Sequence, residues 1–138
     1  MVDRFFMAAK AFVVDGGEVL VLQESEDYED GVHPGKFELP GGRLEPGEHP
    51  EEALRREVRE EAGLEVEIGE PFHVDEWRPE VDGENWQIVG VFFECRTDSR
   101  DVELGEEHQG YRWIDPGKHE EHDLIDNLHG RFDVFLER

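Results

Sequence analysis

Three glutamates, Glu57, Glu60 and Glu61, stand within five residues of one another in a stretch whose apolar residues Leu54, Val58 and Ala62 recur at helical spacing. At about 100° per residue the apolar trio shares one arc of a helix and the three acids share the adjoining one. Like charges a turn apart destabilise a solvated helix by a few tenths of a kcal/mol each, and by more where the face is covered, so a cation should compensate them. Clustered oxygen donors suit a hard divalent ion such as Mg²⁺, which is typically held by one or two carboxylates plus substrate phosphates. Such an ion polarises a phosphoryl group and lowers the pKa of an attacking water, which is the chemistry of phosphate-ester cleavage. A second reading stays open on helix arithmetic alone: Arg55, Arg56 and Arg59 can pair with glutamates a turn away, giving an ordinary salt-bridged surface helix.

Several elements must position these acids. Pro40-Gly41-Gly42 precedes the helix as a turn in which glycines allow conformations closed to other residues. His49 or Glu48 sits at the helix cap, Pro50 fits the first helical position, Glu51 and Glu52 suit the positive end of the dipole, and Gly63 is a natural stop. Leu64 folds back on Val58. Upstream, Phe5 to Val14 and Glu18 to Gln23 read as a hairpin around Asp15-Gly16-Gly17, with the first strand central. Glu24 to Lys36, carrying Gly31, Pro34 and Gly35, reads as a long polar loop, and Phe37 to Leu39 as a short strand. Downstream, Val66 to Val74, Gln87 to Cys95 and Tyr111 to Ile114 read as strands. Leu124, Ile125, Leu128 and Phe132 predict a final helix that breaks at Gly130, with Phe135 and Leu136 continuing its apolar side. The sum is one α/β domain over 1–138, with a mixed sheet between helices and no repeat or linker.

Composition excludes several classes. Against 37 Asp and Glu stand 14 Lys and Arg, a net charge of −23, so a broad basic face for nucleic acid is not expected. That surface suits concentrated salt, where screening shortens its self-repulsion to about 3 Å at 1 M, and it resembles the cytoplasmic proteins of salt-accumulating halophiles. Cys95 is the single cysteine, which excludes an intrachain disulfide and a cysteine zinc cluster. No apolar run approaches a membrane span and Met1 to Lys10 lacks a secretory pattern, so a cytoplasmic protein with no membrane partner is expected.

The context of the glutamates is specific. Gly42, Glu48, Arg56-Glu57, Val58, Glu60-Glu61, Gly63 and Leu64 match every defined position of the Nudix signature, so residues 42–64 resemble a Nudix box and the chain resembles a Nudix (MutT-like) hydrolase. The resemblance implies a Nudix-type α/β/α sandwich with a central mixed β-sheet. It implies Mg²⁺, with Mn²⁺ as an alternative, held by Glu57, Glu60 and Glu61 and by the carbonyl of Gly41 or Gly42. In the same terms, Arg56 orients a carboxylate, Glu48 or Glu60. Glu107, in the Glu106-Glu107-His108 stretch before Tyr111 to Ile114, resembles an acid that assists water activation late in many such enzymes, and a solvated acidic loop is its rival reading.

Arg43, Phe37, Trp77, Arg78 and Trp86 are candidates for clamping phosphates or stacking on a base, and packing roles suit them equally. His119 and His122 read as solvated and are assigned no metal. The expected activity is a Mg²⁺-dependent pyrophosphohydrolase acting on a nucleoside-diphosphate-linked small molecule, with a nucleoside triphosphate, oxidised ones included, preferred. ADP-ribose or a nucleotide sugar is the alternative within the family, and a non-catalytic nucleotide-binding module the alternative outside enzymes. The coenzyme A branch lacks a counterpart of its upstream motif in Leu22 to Gly42. A homodimer is expected from family habit.

Overall fold

Strand alternation decides the layering. In the first strand, β1 (Arg4–Asp15), Ala9, Ala11 and Val13 point to one face and Phe12 to the other; in β2 (Glu18–Glu24) Leu20 and Leu22 oppose Val19 and Val21 in the same way. All of these are buried, so both faces of the sheet must be covered. The helix α1 (Pro50–Ala62) covers one face with Leu54, Val58 and Ala62, and α2 (Asp126–Glu137) covers the other with Leu128 and Phe132. The computed structural model describes residues 1–27 and 33–138; residues 28–32 of the expected polar loop, Gly31 among them, lie outside the described residues.

The remaining strands are β3 (Phe37–Glu38), β4 (Gly41–Arg43), β5 (Glu67–Trp77), β6 (Glu80–Val81), β7 (Glu84–Arg96) and β8 (His108–Ile114). The sheet runs β3-β2-β1-β7-β5, with β4 on β1, β6 on β7 and β8 on β2. β1 pairs with β7 in parallel along eleven positions from Arg4↔Trp86 to Val14↔Arg96, while its pairings with β2 and β4 are antiparallel, so the sheet is mixed and β1 is central, as expected.

Three expectations are corrected. Gly41 and Gly42 are not only a turn: with Arg43 they form β4, pairing Lys10↔Gly41, Ala9↔Gly42 and Ala8↔Arg43. Gly41 has φ +131°, and a Cβ there would stand 2.3 Å from the Ala9 carbonyl oxygen, so only glycine lets this strand lie so close to β1. Gly130 does not break the last helix, which runs through it on a side open to solvent. Leu124 and Ile125 precede that helix; the Phe37 amide donates to the Asp123 carbonyl and the Ile125 amide to the Phe37 carbonyl, so the pair lies extended beside β3 and its side chains enter the α2-side core from there rather than from a helical stripe. Among the described residues no helix is long and apolar enough to cross a membrane.

Candidate active site

The carboxylate helix begins and ends where its sequence places the signals. The His49 ring accepts a hydrogen bond from the Glu51 amide, Pro50 opens the helix, and Gly63 closes it in the left-handed region at φ +67° with its amide donating to the Arg59 carbonyl. Leu54, Val58 and Ala62 bury against the sheet, which turns Glu57, Glu60 and Glu61 along the adjoining edge toward β4 and the chain before β8.

Each glutamate is held differently. Glu61 is buried, 9% exposed, and its Oε1 accepts from the Gly41 amide at 2.8 Å. Burial pushes its carboxyl up to about 8, with the Lys10 ammonium and the Gly41 amide opposing and the Glu57 and Glu107 charges adding to the rise. Glu57 is also raised, chiefly by burial and against the pull of Arg56. Arg56 forks onto Glu48, Nε to Oε2 at 2.8 Å and Nη2 to Oε1 at 3.0 Å, and its Nη1 donates to Glu57 Oε1 at 3.0 Å. The Arg56 guanidinium and the Glu45 amide hold the Glu48 carboxyl down at about 2. Glu60 is 3.6 Å from Arg56 and largely in solvent. Gly42 completes the wall, since a Cβ there would lie 2.8 Å from the Glu57 carboxyl carbon.

The surface-helix reading therefore explains part of the segment. Arg59 pairs with Glu65 just beyond the helix at 2.8 Å, an exposed ion pair worth little. Among the described residues Glu61 has no arginine partner; the cation that acts on it is Lys10, itself buried within an otherwise apolar strand and 4.0 Å from Glu38. The tie from Arg56 to Glu48 agrees with the role expected for that arginine, and Glu57 rather than Glu60 is the second carboxylate it grips.

The loop before β8 closes the site. The Glu103 amide donates to the Ala62 carbonyl and the Gly105 amide to the Glu61 carbonyl, pinning the loop to the end of α1. A cleft of about 310 Å³ results, lined by Glu57, Glu60, Glu61, Gly105, Glu106, Glu107 and His108. One donor atom each from Glu61, Glu107 and His108 lies within 4.8 Å of the others. Burial holds the His108 imidazole down at about 4, so it is neutral at physiological pH. Oxygen donors crowded with a neutral ring nitrogen, around a carboxylate desolvated without an arginine, fit a divalent ion.

The candidate substrate residues separate. Arg43 borders a second cleft with Phe6, Arg56 and Glu57, its guanidinium 4.5 Å from the Phe6 ring centroid and 5.2 Å from that of Trp86. Phe37, by contrast, is 3% exposed in the α2-side core with Arg112 over its ring, and Trp77 packs on Phe92 with Arg131 against its face. Arg78 pairs with Glu76. None of these three lines either cleft bordered by Glu57. Core packing thus replaces stacking for Phe37 and Trp77, because both face α2 rather than the carboxylates. His119, expected in solvent, is buried against Phe132 and bonds to His129 at 2.8 Å and Asp133 at 2.9 Å. Lys10 and His108 join the site without having been singled out; the signals were a lone charge inside an apolar strand and a histidine directly following Glu107.

A mixed sheet between two helices, with a glycine strand abutting a glutamate-rich helix, is here the scaffold of a hydrolase that acts on phosphoanhydride bonds, as the match to the NUDIX domain shows. The chain belongs to the Nudix family: the model of the NUDIX domain matches residues 4–133. Nucleoside triphosphatase NudI of Escherichia coli O81 (strain ED1a) is 40% identical over 111 residues, 75% of this chain and 77% of that protein. The crystal structure of a MutT protein from Methanosarcina mazei Go1 superposes with a TM-score of 0.81 at 26% identity, covering 100% of both chains. An ADP-ribose pyrophosphatase from Streptococcus suis 89-1591 has a TM-score of 0.72 at 19% identity over 96% of this chain and 90% of its own, a likeness of fold alone.

Proposed function

We propose that this enzyme is a Mg²⁺- or Mn²⁺-dependent pyrophosphohydrolase of nucleoside triphosphates, oxidised ones included, releasing a nucleoside monophosphate and pyrophosphate. The observation that carries the metal-dependent reading is Glu61, a carboxylate buried beside Glu57 and Glu107 with no arginine against it among the described residues. The 40% identity to a nucleoside triphosphatase favours triphosphates over ADP-ribose and other nucleotide sugars. The family match over 4–133 supports reading 1–138 as one domain.

In this reading Glu57, Glu60 and Glu61, with the Gly42 carbonyl, hold the ion. When bound, it draws charge off the phosphoryl oxygens and lowers the pKa of the attacking water. Arg56 keeps Glu57 turned into the cleft by gripping it together with Glu48. Arg43, braced on Phe6 and Trp86, meets a substrate phosphate. Glu107 accepts the proton of the attacking water, which its place on the cleft rim permits.

A screen of nucleoside triphosphates, oxidised triphosphates and ADP-ribose with Mg²⁺ or Mn²⁺, in molar KCl at mildly alkaline pH, tests this. Triphosphate turnover that disappears in Glu61→Gln is the expected result. Absence of metal-dependent hydrolysis of every substrate, or full activity in E61Q, would overturn it, and a preference for ADP-ribose would move the enzyme to the other branch.

The net charge of −23 supports a working environment of concentrated salt in a cytoplasm, where screening relieves self-repulsion. The melting temperature is then expected to climb as KCl is raised from 0.1 to 2 M, and a flat or falling profile would refute the halophilic assignment. Phe5, 57% exposed, shares one sheet face with exposed Met7 and, through the pairings Val74↔Val91 and Ala9↔Val91, with exposed Val74; this apolar surface supports a homodimer.

A further inference from the structure

His108 occupies its position through an irregularity in the sheet. β8 runs antiparallel to β2 with Leu20↔Trp113, Val21↔Arg112, Leu22↔Tyr111 and Gln23↔Gly110, after which Glu24 pairs with His108 rather than with Gln109. One residue of β8 is therefore extra, a β-bulge. Directly opposed residues share a face, and Leu20 and Leu22 mark the face covered by α1. Regular alternation would send Gln109 to that face and His108 to the opposite one. The bulge reverses this, and the imidazole reaches the cleft beside Glu61 and Glu107.

The ring arrives there with unspent bonding capacity. Its Nδ1 is fully buried and has no hydrogen-bond partner among the described residues. Buried polar atoms are ordinarily satisfied, and an orphan on a ring that borders two carboxylates calls for a ligand that offers an empty orbital or a proton. One nitrogen of the ring lies within 4.8 Å of a carboxylate oxygen of Glu61 and of one of Glu107, close enough for an ion held by Glu61 to be within reach of the ring.

We propose that His108 is a metal ligand of this site, a nitrogen donor that biases it toward first-row transition ions, Mn²⁺ among them, over Mg²⁺. The inference rests on the metal-dependent reading above and adds its ion preference. An all-oxygen site suits Mg²⁺, which keeps several waters and dehydrates reluctantly, whereas imidazole binds transition ions more strongly. Replacing one oxygen donor by nitrogen therefore lowers Mg²⁺ affinity relative to Mn²⁺. The bulge is the structural device that makes the replacement, since it decides which of two adjacent side chains enters the cleft.

Electron spin-echo spectroscopy of Mn²⁺ on the full chain reads the bond directly. The expected result is a ¹⁴N coupling of a bound imidazole in the wild type that is absent in both His108→Gln and His108→Leu. Mn²⁺ affinity should fall by about tenfold or more in these variants, the scale on which disturbing a metal site acts. Mg²⁺ affinity, read by competition against the Mn²⁺ signal, should change by less than about threefold. Mn²⁺ that binds the wild type without nitrogen coupling would overturn the proposal and leave the hydrolase reading standing. Equal losses for both ions would overturn the selectivity. No Mn²⁺ binding by the wild type would overturn the proposal together with the metal-dependent reading. The wild-type spectrum decides the central point even if a variant fails to fold.

Discussion

Glu61 puts function and stability in opposition, and the size of the conflict follows from its burial. In the unfolded chain its carboxyl titrates near 4.5; in the metal-free fold burial raises this to about 8. Below pH 4.5 both states hold the proton and the residue costs nothing by ionisation. From 4.5 to 8 the unfolded state releases its proton while the folded state keeps it, so stability falls with rising pH by about 1.4 kcal/mol per pH unit, and above 8 the penalty is constant. The full gap between 4.5 and about 8 corresponds to at most about 5 kcal/mol. Glu61→Gln retains an oxygen to accept the Gly41 amide hydrogen bond and has nothing to ionise. Urea unfolding of both proteins in EDTA at fixed KCl, between pH 5 and pH 8, is therefore expected to show E61Q gaining about 3 to 4 kcal/mol relative to wild type over that window. Taking the difference between the two proteins removes the titration of every group not coupled to Glu61, leaving only Glu61 and its neighbours Lys10, Glu57 and Glu107. Adding Mn²⁺ at pH 8 should stabilise the wild type more than E61Q, which lacks one of the ligands, and shrink or reverse the gap. Parallel pH profiles in EDTA would refute the claim that Glu61 is desolvated by the fold.

Gly42→Ala is expected to fold, because its φ lies outside the left-handed region, but its methyl would meet the Glu57 carboxyl at 2.8 Å; Mn²⁺ affinity measured by calorimetry should drop by about tenfold, and an unchanged affinity would remove Glu57 from the metal site. Arg131 is 2% exposed, pairs with Asp75 at 3.2 Å, and leaves Nη2 buried without a hydrogen-bond partner among the described residues. Asp75→Ala should then cost about 1 to 3 kcal/mol by stranding that guanidinium, and more than Arg131→Met, which removes the buried charge altogether; the reverse order in thermal unfolding would refute the desolvation argument.

The sequence by itself determined the helix of residues 50–62, its stop at Gly63 and the sharing of one arc by three glutamates, and it narrowed the N-cap to His49 or Glu48, because these depend on a 3.6-residue period and on neighbours within one turn. The expectation of a mixed sheet with the first strand central also held, because the apolar run of β1 has residues to bury on both faces and so belongs under cover on both sides, while its parallel and antiparallel pairings came from the tertiary structure. Local signals likewise carried the Gly42-to-Leu64 spacing and hence the family.

Only the tertiary structure decided which residues complete the site. Lys10 stands against Glu61 because β1 lies beneath β4, a contact between segments about fifty residues apart. His108 rather than Gln109 enters the cleft because a bulge shifts β8 by one residue against β2, and pairing register is a property of two strands that neither states alone. Phe37 and Trp77, aromatic and near the box in sequence or suggestive in type, were drawn into the α2-side core instead. Side-chain type carries no record of which sheet face a residue will occupy, and burial of the larger apolar area decided it.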